Sequence, residues 1–365
     1  MYSYRPEKII VQKDSWPDAV TGNVLDQLPE VEVSVVEHVD AALAEIYRDT
    51  DSRAAGKRIL VLTRNRGRFL EECPGAGAEI CCNYYVLNFA ANCPFECSYC
   101  ILQSYLNTPA LIVFTNEDDL YFQVRERLDR DPLRTFRIGT GELADSMALE
   151  NITGYASRLV LFFASLSNGI LELKTKSDKM DSLESLAHNN HTVVSWSVNS
   201  KFICRTEELK AASLEARLQA ARRCQNWGYR VGFHFDPLVY YEGWEPDYRE
   251  VVREIFRAVD PSGIAWISLG CLRFTPDLRR IVRERFPKSI VPQGEFVPGH
   301  HGKLRYFRPI RQEMYGKMYS WIREWAPDVF IYLCMESRLV WEKSFGCAPR
   351  DACELAGQMD ALVHL

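Results

Sequence analysis

Residues 81–286 alternate short apolar runs with longer amphipathic segments, and this alternation restricts the folds open to the chain. In segments 117–130 and 207–224 the apolar residues recur at every third and fourth position and charges fill the other side, which is typical of helices. Strands joined by crossover helices form a parallel sheet. Six strands are too few to close an eight-stranded barrel, so we predict an α/β fold built on a partial (β/α)6 barrel. The six predicted strands are residues 84–89, 136–140, 169–175, 192–198, 230–235 and 263–269.

Two regions of different composition flank the predicted barrel. Residues 1–80 combine a helix-like stretch around 37–48 with an apolar, strand-like run at 58–63, and we predict an N-terminal lobe there. The C-terminal region is rich in arginine and aromatic residues, and we expect it to pack on the barrel and to bind substrate. The predicted domains are therefore 1–80, 81–286 and 287–365.

The bulk composition sets outer limits on function. Hydrophobic residues make up 47% of the chain, enough for a substantial core, and 44 basic against 49 acidic residues give a formal charge of -5. The overall field therefore does not attract a polyanion, and any contact with nucleic acid needs a local basic patch. No apolar run reaches the roughly 20 residues that span a bilayer, and none follows a basic start as in a signal peptide. We expect a cytoplasmic protein without a membrane partner, whose 12 cysteines stay reduced unless they bind metal.

Three cysteines on one loop form the most specific motif of the sequence. Cys93, Cys97 and Cys100 follow the first predicted strand at a C-x3-C-x2-C spacing. Three thiolates can hold one face of an iron–sulfur cubane and leave the fourth iron without a protein ligand. S-adenosylmethionine (SAM) can chelate that iron, and an electron from the cluster can then cleave the cofactor to a 5′-deoxyadenosyl radical. The loop therefore predicts a 4Fe-4S cluster and SAM as cofactors.

Two other interpretations of this loop use the same thiols. A zinc site could be completed by Cys73, Cys81 or Cys82, although a closed zinc site usually has four ligands and the loop offers three. Buried cysteines without any ligand fit less well, because unligated core cysteines are usually scattered along a chain.

Polar residues at the ends of the later strands are expected to complete a pocket, since the carboxyl ends of barrel strands meet at one rim. The second strand ends in a Gly-Thr-Gly-Glu turn, where glycines allow close approach of the backbone and the carboxylate can meet an ammonium group. The fifth strand sends His234 and Asp236 to the same face, where they can serve a ligand or form only a structural hydrogen bond. Lys176 ends the third strand, where a lysine can hold a carboxylate, and Ser197 and Asn199 share a face at the end of the fourth, where small polar side chains suggest a ligand. With Glu142 and Asp236 they are the candidate ligand contacts of this rim.

With these motifs in place, the chain resembles the spore photoproduct lyases, radical SAM enzymes that reverse a UV-induced thymine dimer in DNA. The cysteine motif is specific for the radical SAM superfamily, and the flanking motifs extend the resemblance over most of the chain. The matching segments are residues 69–74, 93–103, 175–176, 197–199, 237–244 and 333–336.

The resemblance implies roles for individual residues. Lys176, Ser197 and Asn199 correspond to residues that contact SAM, and Tyr99 resembles a tyrosine that relays a hydrogen atom. The turn that ends in Glu142 is similar to the glycine-glycine-glutamate motif with which many radical SAM enzymes bind the methionine amino group. The resemblance to the spore photoproduct lyases also implies a 4Fe-4S cluster and SAM as cofactors, DNA as a partner, and an electron donor of the flavodoxin or ferredoxin type.

The chain departs from the family pattern at two positions. Residues 139–145, where the family places its hydrogen-donating cysteine, contain no cysteine, and Ile101 stands where the family has a second tyrosine. We therefore consider Cys271, at the end of the sixth strand, and Cys334 as relocated hydrogen donors.

Three hypotheses for function follow. The first is a radical SAM lyase that repairs a DNA lesion, a UV-type pyrimidine dimer or related damage. Its substrate would be bound by basic and aromatic residues near the C-terminus, Arg305, Tyr306 and Arg308. The second is a radical SAM enzyme of the same lineage that acts on a substrate other than DNA. The third is a non-enzymatic, metal-bearing protein that binds nucleic acid.

Overall fold

The computed structural model describes residues 4–44, 55–73, 79–299 and 302–363. Within these residues, two sheets of parallel character contain most of the strands. The strands are β1 (Lys8–Gln12), β2 (Glu32–Val36), β3 (Ile59–Thr63), β4 (Leu70–Glu72), β5 (Tyr85–Leu87), β6 (Ala90–Ala91), β7 (Glu96–Cys97), β8 (Leu111–Phe114), β9 (Phe136–Gly139), β10 (Gly169–Thr175), β11 (Thr192–Ser197), β12 (Glu208–Leu209), β13 (Arg230–Leu238), β14 (Ile264–Cys271), β15 (Arg273–Phe274), β16 (Val297–Pro298), β17 (Leu304–Arg305) and β18 (Ile331–Leu333).

Helices connect these strands. The α-helices are α1 (Ala19–Gln27), α2 (Val39–Ala44), α3 (Leu102–Tyr105), α4 (Glu117–Asp129), α5 (Glu150–Thr153), α6 (Tyr155–Phe163), α7 (Lys201–Glu207), α8 (Leu214–Asn226), α9 (Trp244–Ala258), α10 (Pro276–Arg285), α11 (Arg308–Trp325), α12 (Arg338–Phe345) and α13 (Ala352–Leu362). Among the residues described here, no helix has both the length and the apolar composition needed to cross a membrane.

The larger sheet is the predicted half-barrel. Its eight strands run in the order β18-β14-β13-β11-β10-β9-β5-β4, and all neighbours are parallel except the edge pair β4–β5. The six predicted strands therefore exist and lie side by side, in the spatial order of their sequence. Nearly every residue of β10, β11, β13 and β14 is buried, so both faces of the sheet are covered, as expected for a parallel sheet.

The sheets do not follow the predicted divisions at residues 80 and 286. The smaller sheet has the order β2-β1-β3-β8-β6, so β6 and β8, which follow residue 80, belong with the N-terminal strands. Conversely, β18 from the C-terminal region pairs in parallel with β14 and extends the half-barrel. The three predicted domains therefore exchange strands, which a boundary drawn from composition cannot show.

Local sequence explains where the helices begin. The predicted helix 207–224 is only partly helical: α7 ends at Glu207, β12 follows, and α8 begins at Leu214. Ser213 caps α8, since its hydroxyl accepts a hydrogen bond from the backbone N–H of Ala216 at 3.2 Å. The predicted helix at 37–48 is present as α2 up to Ala44, and its remainder lies outside the described residues.

Candidate active site

A cavity of about 420 Å³ opens where the carboxyl ends of the half-barrel strands meet, a size typical of small-molecule sites. It collects residues from loops that are far apart in the sequence, as the rim of a barrel does. Among the side chains that line it are Cys93, Cys97, Cys100, Tyr99, Glu142, Lys176, Ser197 and Asp236. Eight of the residues predicted for cluster, cofactor or catalysis therefore face one space.

The cysteine loop is held by its own hydrogen bonds. Asn92, in the left-handed region with φ 72°, accepts from the backbone N–H of Cys93 at 2.9 Å and donates to the carbonyl of Pro109 at 2.8 Å. The amide of Gln103 donates to the carbonyl of Cys97 at 3.1 Å. The loop is thus fixed in shape by groups other than the thiols, which leaves the thiols themselves free to bind a ligand.

The chemistry of the thiols fits an iron–sulfur cluster. Burial raises the pKa of Cys93 well above its usual range and that of Cys97 to about 12, so thiolates persist here only beside a cation. Three thiols on one loop suit a cubane, in which each binds a different iron.

Tyr99 turns its hydroxyl towards a buried ion pair. The hydroxyl donates to Glu208, whose other carboxylate oxygen lies 2.6 Å from Arg217. Burial and then the charge of Glu208 raise the pKa of Tyr99 well above its usual range, so the phenol stays protonated. On the cavity side, the amine of Lys176 lies 5.6 Å from the centre of the Tyr99 ring, a cation–π contact.

Asp145 orders the turn after β9 and had no clear signal in the sequence. Its carboxylate accepts from the hydroxyl of Thr175 at 2.6 Å and from the backbone N–H of Lys176 at 2.7 Å. It also accepts from the backbone N–H groups of Met147 and Ala148, so one side chain ties the β9 turn to the end of β10. Its position therefore decides where Lys176 enters the cavity.

Glu142 lies in the cavity, but it already has partners. Lys174 donates to its carboxylate at 2.6 Å, and the hydroxyl of Tyr84 donates to the same oxygen. Burial alone would raise the pKa of Glu142, but the charge of Lys174 and these two hydrogen bonds outweigh burial and lower it. Glu142 is therefore ionised and able to receive an ammonium group.

The two glycines of this turn make room for protein and not only for a ligand. A Cβ at Gly139 would lie 2.8 Å from the ring of Tyr84, and one at Gly141 would lie 2.7 Å from the Cβ of Lys174. The sequence predicted that a ligand would approach the backbone closely at these glycines. In the structure, the groups that approach are the side chains of Tyr84 and Lys174, the two partners of Glu142.

Two residues predicted to contact SAM, Asn199 and Asp236, are already bonded to other side chains or backbone groups of the protein. Asn199 is 1% exposed; its amide donates to the carbonyl of Pro237 at 2.9 Å, and its oxygen accepts from Tyr248. It is bonded to the end of β13 and is not among the residues that line the cavity. Asp236, which does line it, lies 3.3 Å from the guanidinium of Arg273.

His234 belongs to a buried hydrogen-bond network, but its partners are Glu172 and Ser268, and Asp236, considered above as its partner, pairs with Arg273 instead. Its Nε2 lies 2.7 Å from Glu172, and its Nδ1 lies 2.7 Å from the hydroxyl of Ser268. Ser195 and Trp266 donate to the same Glu172 oxygen at 2.6 and 2.9 Å. The network crosslinks four neighbouring strands and gives the cavity a rigid floor.

Of the three C-terminal residues predicted to bind substrate, two are held by contacts within the protein and one is exposed. Arg305 pairs with Glu79 at 2.5 Å and with the fully buried Glu336 at 2.9 Å, and Tyr306, 3% exposed, accepts from the backbone of Tyr240. Both residues therefore hold the β16–β17 hairpin in place. Arg308 is exposed at the start of α11.

Cys271 is not part of the cavity wall. It is 2% exposed, its sulfur lies 3.8 Å from that of Met314, and its backbone N–H donates to Tyr315 at 2.7 Å. The thiol is therefore buried against α11 and does not line the cavity, although Leu272 and Arg273, which follow it, do.

Two cationic side chains also line the cavity, and the sequence indicated only one of them. Lys303, in the hairpin loop before β17, belongs to the basic and aromatic C-terminal run that suggested phosphate contact, whereas Arg273, in β15, was not expected to bind a ligand. Burial and then the charge of Arg273 lower the pKa of Lys303, so the two cations are close enough to repel each other. Periodicity does not mark Arg273, because β15 is only two residues long.

A parallel half-barrel whose first strand is followed by a three-thiol loop, with a cofactor-sized cavity at the same rim, defines a radical SAM enzyme. The comparisons with known proteins agree. A model of the spore photoproduct lyase family matches residues 22–331, and the chain belongs to that family. As a member it is a radical SAM lyase with a 4Fe-4S cluster and SAM as cofactors.

The relatives match over most of their length. The spore photoproduct lyase of a Geobacillus species is 28% identical over 253 residues, covering 67% of this chain and 74% of the relative. That of Clostridium acetobutylicum is 24% identical over 324 residues, covering 84% and 92%. A solved spore photoproduct lyase mutant with bound AdoMet and dinucleoside spore photoproduct superposes with a TM-score of 0.82 at 22% identity, covering 91% of this chain and 100% of that one. This last likeness confirms the fold.

Proposed function

We propose that the protein uses SAM-derived radical chemistry to reverse the spore photoproduct, or a closely related thymine dimer, in DNA. The observation that carries this proposal is the set of side chains that line the cavity at the rim of the half-barrel. The three cluster thiols and four of the five predicted SAM contacts, all but Asn199, line it together with two cations, Arg273 and Lys303, that the cofactor chemistry does not require. The relatives named above are spore photoproduct lyases, and a solved neighbour holds a dinucleoside spore photoproduct.

The cofactors would be held by residues whose chemistry suits them. Cys93, Cys97 and Cys100 would bind the cluster, and Glu142 would share its charge between Lys174 and the ammonium group of SAM. Lys176, Ser197 and Asp236 would contact the remaining polar groups of SAM. When bound, these cofactors supply a 5′-deoxyadenosyl radical that can remove a hydrogen atom from a carbon of the substrate.

The protein's own contribution is to shield and orient the substrate. Apolar side chains, among them Phe95, Leu102 and Leu272, line the cavity, which keeps water from a reactive carbon centre. The hydrogen bond from Tyr99 to the buried Glu208 fixes the tyrosine, so its ring stays in contact with the amine of Lys176. The hydrogen-bond network around Glu172 crosslinks four strands of the half-barrel and limits how far their ends, which line the cavity, can shift.

The cationic wall would recognise the backbone phosphate of the lesion. Arg273 shares its charge with Asp236 at 3.3 Å, while its Nη1 is buried without a hydrogen-bond partner among the described residues. A phosphate between Arg273 and Lys303 would relieve their mutual repulsion and supply acceptors for both. Arg308, exposed at the start of α11, would contact a phosphate farther along the strand.

The surroundings of the reaction follow from its chemistry. The cluster held by Cys93, Cys97 and Cys100 would need an electron to cleave SAM, and a low-potential carrier of the flavodoxin or ferredoxin type would supply it. The free cysteines and the oxygen-sensitive cluster would be maintained in the cytoplasm, where thiols stay reduced.

One observation favours a second candidate, a radical SAM lyase of this lineage that acts on a substrate other than DNA. The turn that holds the donor cysteine in the family carries Glu142 here, and Glu142 is paired with Lys174. A different substrate would explain the change of chemistry at this turn.

The test is an anaerobic reaction of reconstituted, reduced enzyme with DNA that contains the spore photoproduct, followed by mass analysis of the released nucleosides. We expect loss of the lesion and recovery of thymidine, and no reaction with Cys97→Ala. Binding to the damaged duplex should weaken as salt rises, because phosphate contacts release counterions. Formation of 5′-deoxyadenosine without any change in the lesion would reject the DNA substrate and favour the second candidate.

A further inference from the structure

A short antiparallel ladder brings the protein surface close to one of the cluster thiols. Strands β7 and β12 pair so that Cys97 lies opposite Glu208 and Glu96 lies opposite Leu209. Leu209 is 43% exposed, and neither Leu209 nor Lys210, which follows it, lines the active-site cavity. A surface outside the cavity therefore lies one strand away from a thiol that would bind the cluster.

Positive charge converges on this ladder. Glu96 is 8% exposed, and three cations surround its carboxylate, Lys57 at 3.6 Å, Lys210 at 3.8 Å and Arg285 at 3.3 Å. Glu96 directly precedes Cys97 in the chain. Cations this close to the cluster loop favour both an anionic partner outside it and an added electron within it.

A buried carboxylate brings Lys288 to the same region. Glu207, 1% exposed, accepts from the hydroxyl of Ser289 at 2.6 Å and from the backbone N–H of Ile290 at 3.0 Å. The carbonyl of Glu207 accepts from the backbone N–H of Ser98, in the cluster loop, at 2.8 Å. The segment that carries Lys288 is thus tied to the end of α7 and to the cluster loop.

The carboxylates of this region are buried, whereas its cations reach the solvent. Glu207 and Glu208 are 1% and 2% exposed. Arg205 on α7, Lys210 and Lys288 are all exposed. Together with the exposed leucine at the end of β12, these cations form what we call the basic surface, Arg205, Leu209, Lys210 and Lys288.

The exposed acids that lie next to this region in the sequence are paired with cations of their own. Glu215 on α8 lies 2.9 Å from Lys201, and Glu284 on α10 lies 3.0 Å from Arg280. These carboxylates therefore add little negative charge to the basic surface.

The backbone of Lys210 is in a conformation that favours glycine. Its φ is 65°, in the left-handed region that residues with a Cβ rarely adopt. Strained positions of this kind concentrate at functional sites, where the side chain outweighs the strain. An exposed lysine held in this conformation beside the cluster loop indicates a role for its side chain at the surface.

We propose that the basic surface docks the electron donor of the enzyme, an acidic protein that presents a flavin at its surface, as a flavodoxin does. The three cations complement a ring of carboxylates, and Leu209 among them fits the apolar, methylated edge of a flavin. In the transfer the reduced flavin is oxidised by one electron and the cluster is reduced by one. No covalent bond forms or breaks, and the flavin exchanges any proton with solvent. This inference rests on the proposed function, because that function requires an electron to cleave SAM.

The position of the basic surface leaves the active site open. None of its four residues lines the cavity, whereas Arg273 and Lys303, proposed above to bind the lesion, do. The electron donor can therefore bind while SAM and DNA occupy the cavity. We expect an excess of undamaged duplex to leave the Kd for a flavodoxin unchanged. Displacement of the flavodoxin by the duplex would mean that the basic surface binds DNA, and it would overturn the proposal.

A first test maps the contact without any turnover. Reconstituted holoenzyme is mixed with a purified, acidic bacterial flavodoxin, and a carbodiimide joins lysine amines to carboxylates that touch them. We expect crosslinks at Lys210 and Lys288, identified by peptide mass analysis, and we expect them to disappear at high salt. Crosslinks confined to other lysines would place the docking site elsewhere and overturn the proposal.

The second test measures electron transfer into the cluster. Loss of visible absorbance after rapid mixing with reduced flavodoxin gives a second-order rate constant, which we expect Lys210→Glu and Lys288→Glu each to lower about 10-fold at low salt. Reduction by dithionite, iron content and the SAM cleavage that dithionite supports should stay at the wild-type level. Lys343→Glu, at an exposed lysine of α12, is the matched control.

A third variant separates docking from folding. Lys210→Gly removes the charge and suits the left-handed backbone, so slow reduction in this variant cannot come from strain. We expect a rate constant below that of wild type, with unchanged reduction by dithionite.

Each outcome decides a different statement. Wild-type rate constants in Lys210→Glu and Lys288→Glu would overturn the docking surface and leave the proposed function intact. Rapid reduction by an acidic ferredoxin, with none by the flavodoxin, would overturn the choice of carrier. Slower reduction in the variants, together with wild-type enzyme that never reverses the lesion, would uphold the docking surface and overturn the proposed function.

Discussion

The amine of Lys174 lies 2.6 Å from the carboxylate of Glu142, at the turn where the family has a cysteine. The pair is held in a cavity that must also admit the ammonium group of SAM. Two cations then compete for one carboxylate, and the affinity for SAM depends on how the charge of Glu142 is divided between them.

Removal of the carboxylate should weaken SAM binding. A charge-assisted hydrogen bond contributes about 1.5–3 kcal/mol, so we expect Glu142→Gln to raise the Kd for SAM about 10- to 100-fold while the iron content stays unchanged. Lys174→Met should have the opposite effect and tighten binding, because it removes the competing cation. Isothermal titration of both variants measures these changes. If both variants weaken binding equally, the pair acts as one unit and Glu142 does not receive the ammonium group.

Loss of one cluster thiol should abolish the chemistry without unfolding the chain. Cys97→Ala removes one ligand from a loop whose shape is fixed by Asn92 and Gln103, so we expect the fold to persist while bound iron and reductive SAM cleavage are lost. Iron analysis, visible absorption and detection of 5′-deoxyadenosine measure this, with Cys353→Ala as the control. Stoichiometric zinc in a colourless wild-type protein would contradict the prediction.

The ion pair behind Tyr99 should be important for stability. Arg217 and Glu208 are 0% and 1% exposed, and they lie 2.6 Å apart. Arg217→Met leaves a carboxylate buried without its counter-charge, so we expect a loss of about 3–5 kcal/mol in the free energy of unfolding. The double variant with Glu208→Leu should recover much of this loss, since both charges are then gone. Urea unfolding followed by circular dichroism measures all three proteins, and equal stability of the single and double variants would contradict a role for the uncompensated charge.

The sequence predicted those parts of the site whose signal is local. The three cysteines occupy one loop, and the half-barrel strands are continuous apolar runs, so spacing and periodicity reveal both. The rest depends on contacts between distant segments. Glu208 lies 109 residues from Tyr99, and Glu172 lies 62 residues from His234, distances over which no periodic pattern extends.

Composition was an unreliable guide at the C-terminus. Arginines among aromatic residues favoured contact with DNA, yet Arg305 is paired with Glu79 and Glu336 and holds a hairpin. Of the two cations that do line the cavity, Lys303 belongs to the same basic run, whereas Arg273 lies in the two-residue strand β15 and carries no motif. Whether an arginine is paired inside the protein or free to bind a ligand depends on the acidic residues that the fold brings to it, which the local sequence does not contain.

The buried network under the cavity should make stability depend on pH through Glu172. Burial alone would raise the pKa of this carboxyl, but the imidazole of His234 and the hydrogen bond from Ser195 outweigh burial and lower its pKa to about 2. Because this value lies below that of the unfolded chain, the ionised carboxylate stabilises the fold above about pH 4.5, by about 3 kcal/mol, and this contribution is lost as the pH falls towards 2. Glu172→Gln should therefore be less stable than wild type at neutral pH, and the difference should shrink between about pH 5 and about pH 3. Urea unfolding across this range measures it, with Glu284→Gln on the exposed side of α10 as the control. A difference between wild type and Glu172→Gln that stays constant over the range would mean that the carboxyl has an ordinary pKa and that its hydrogen bonds do not depend on its charge.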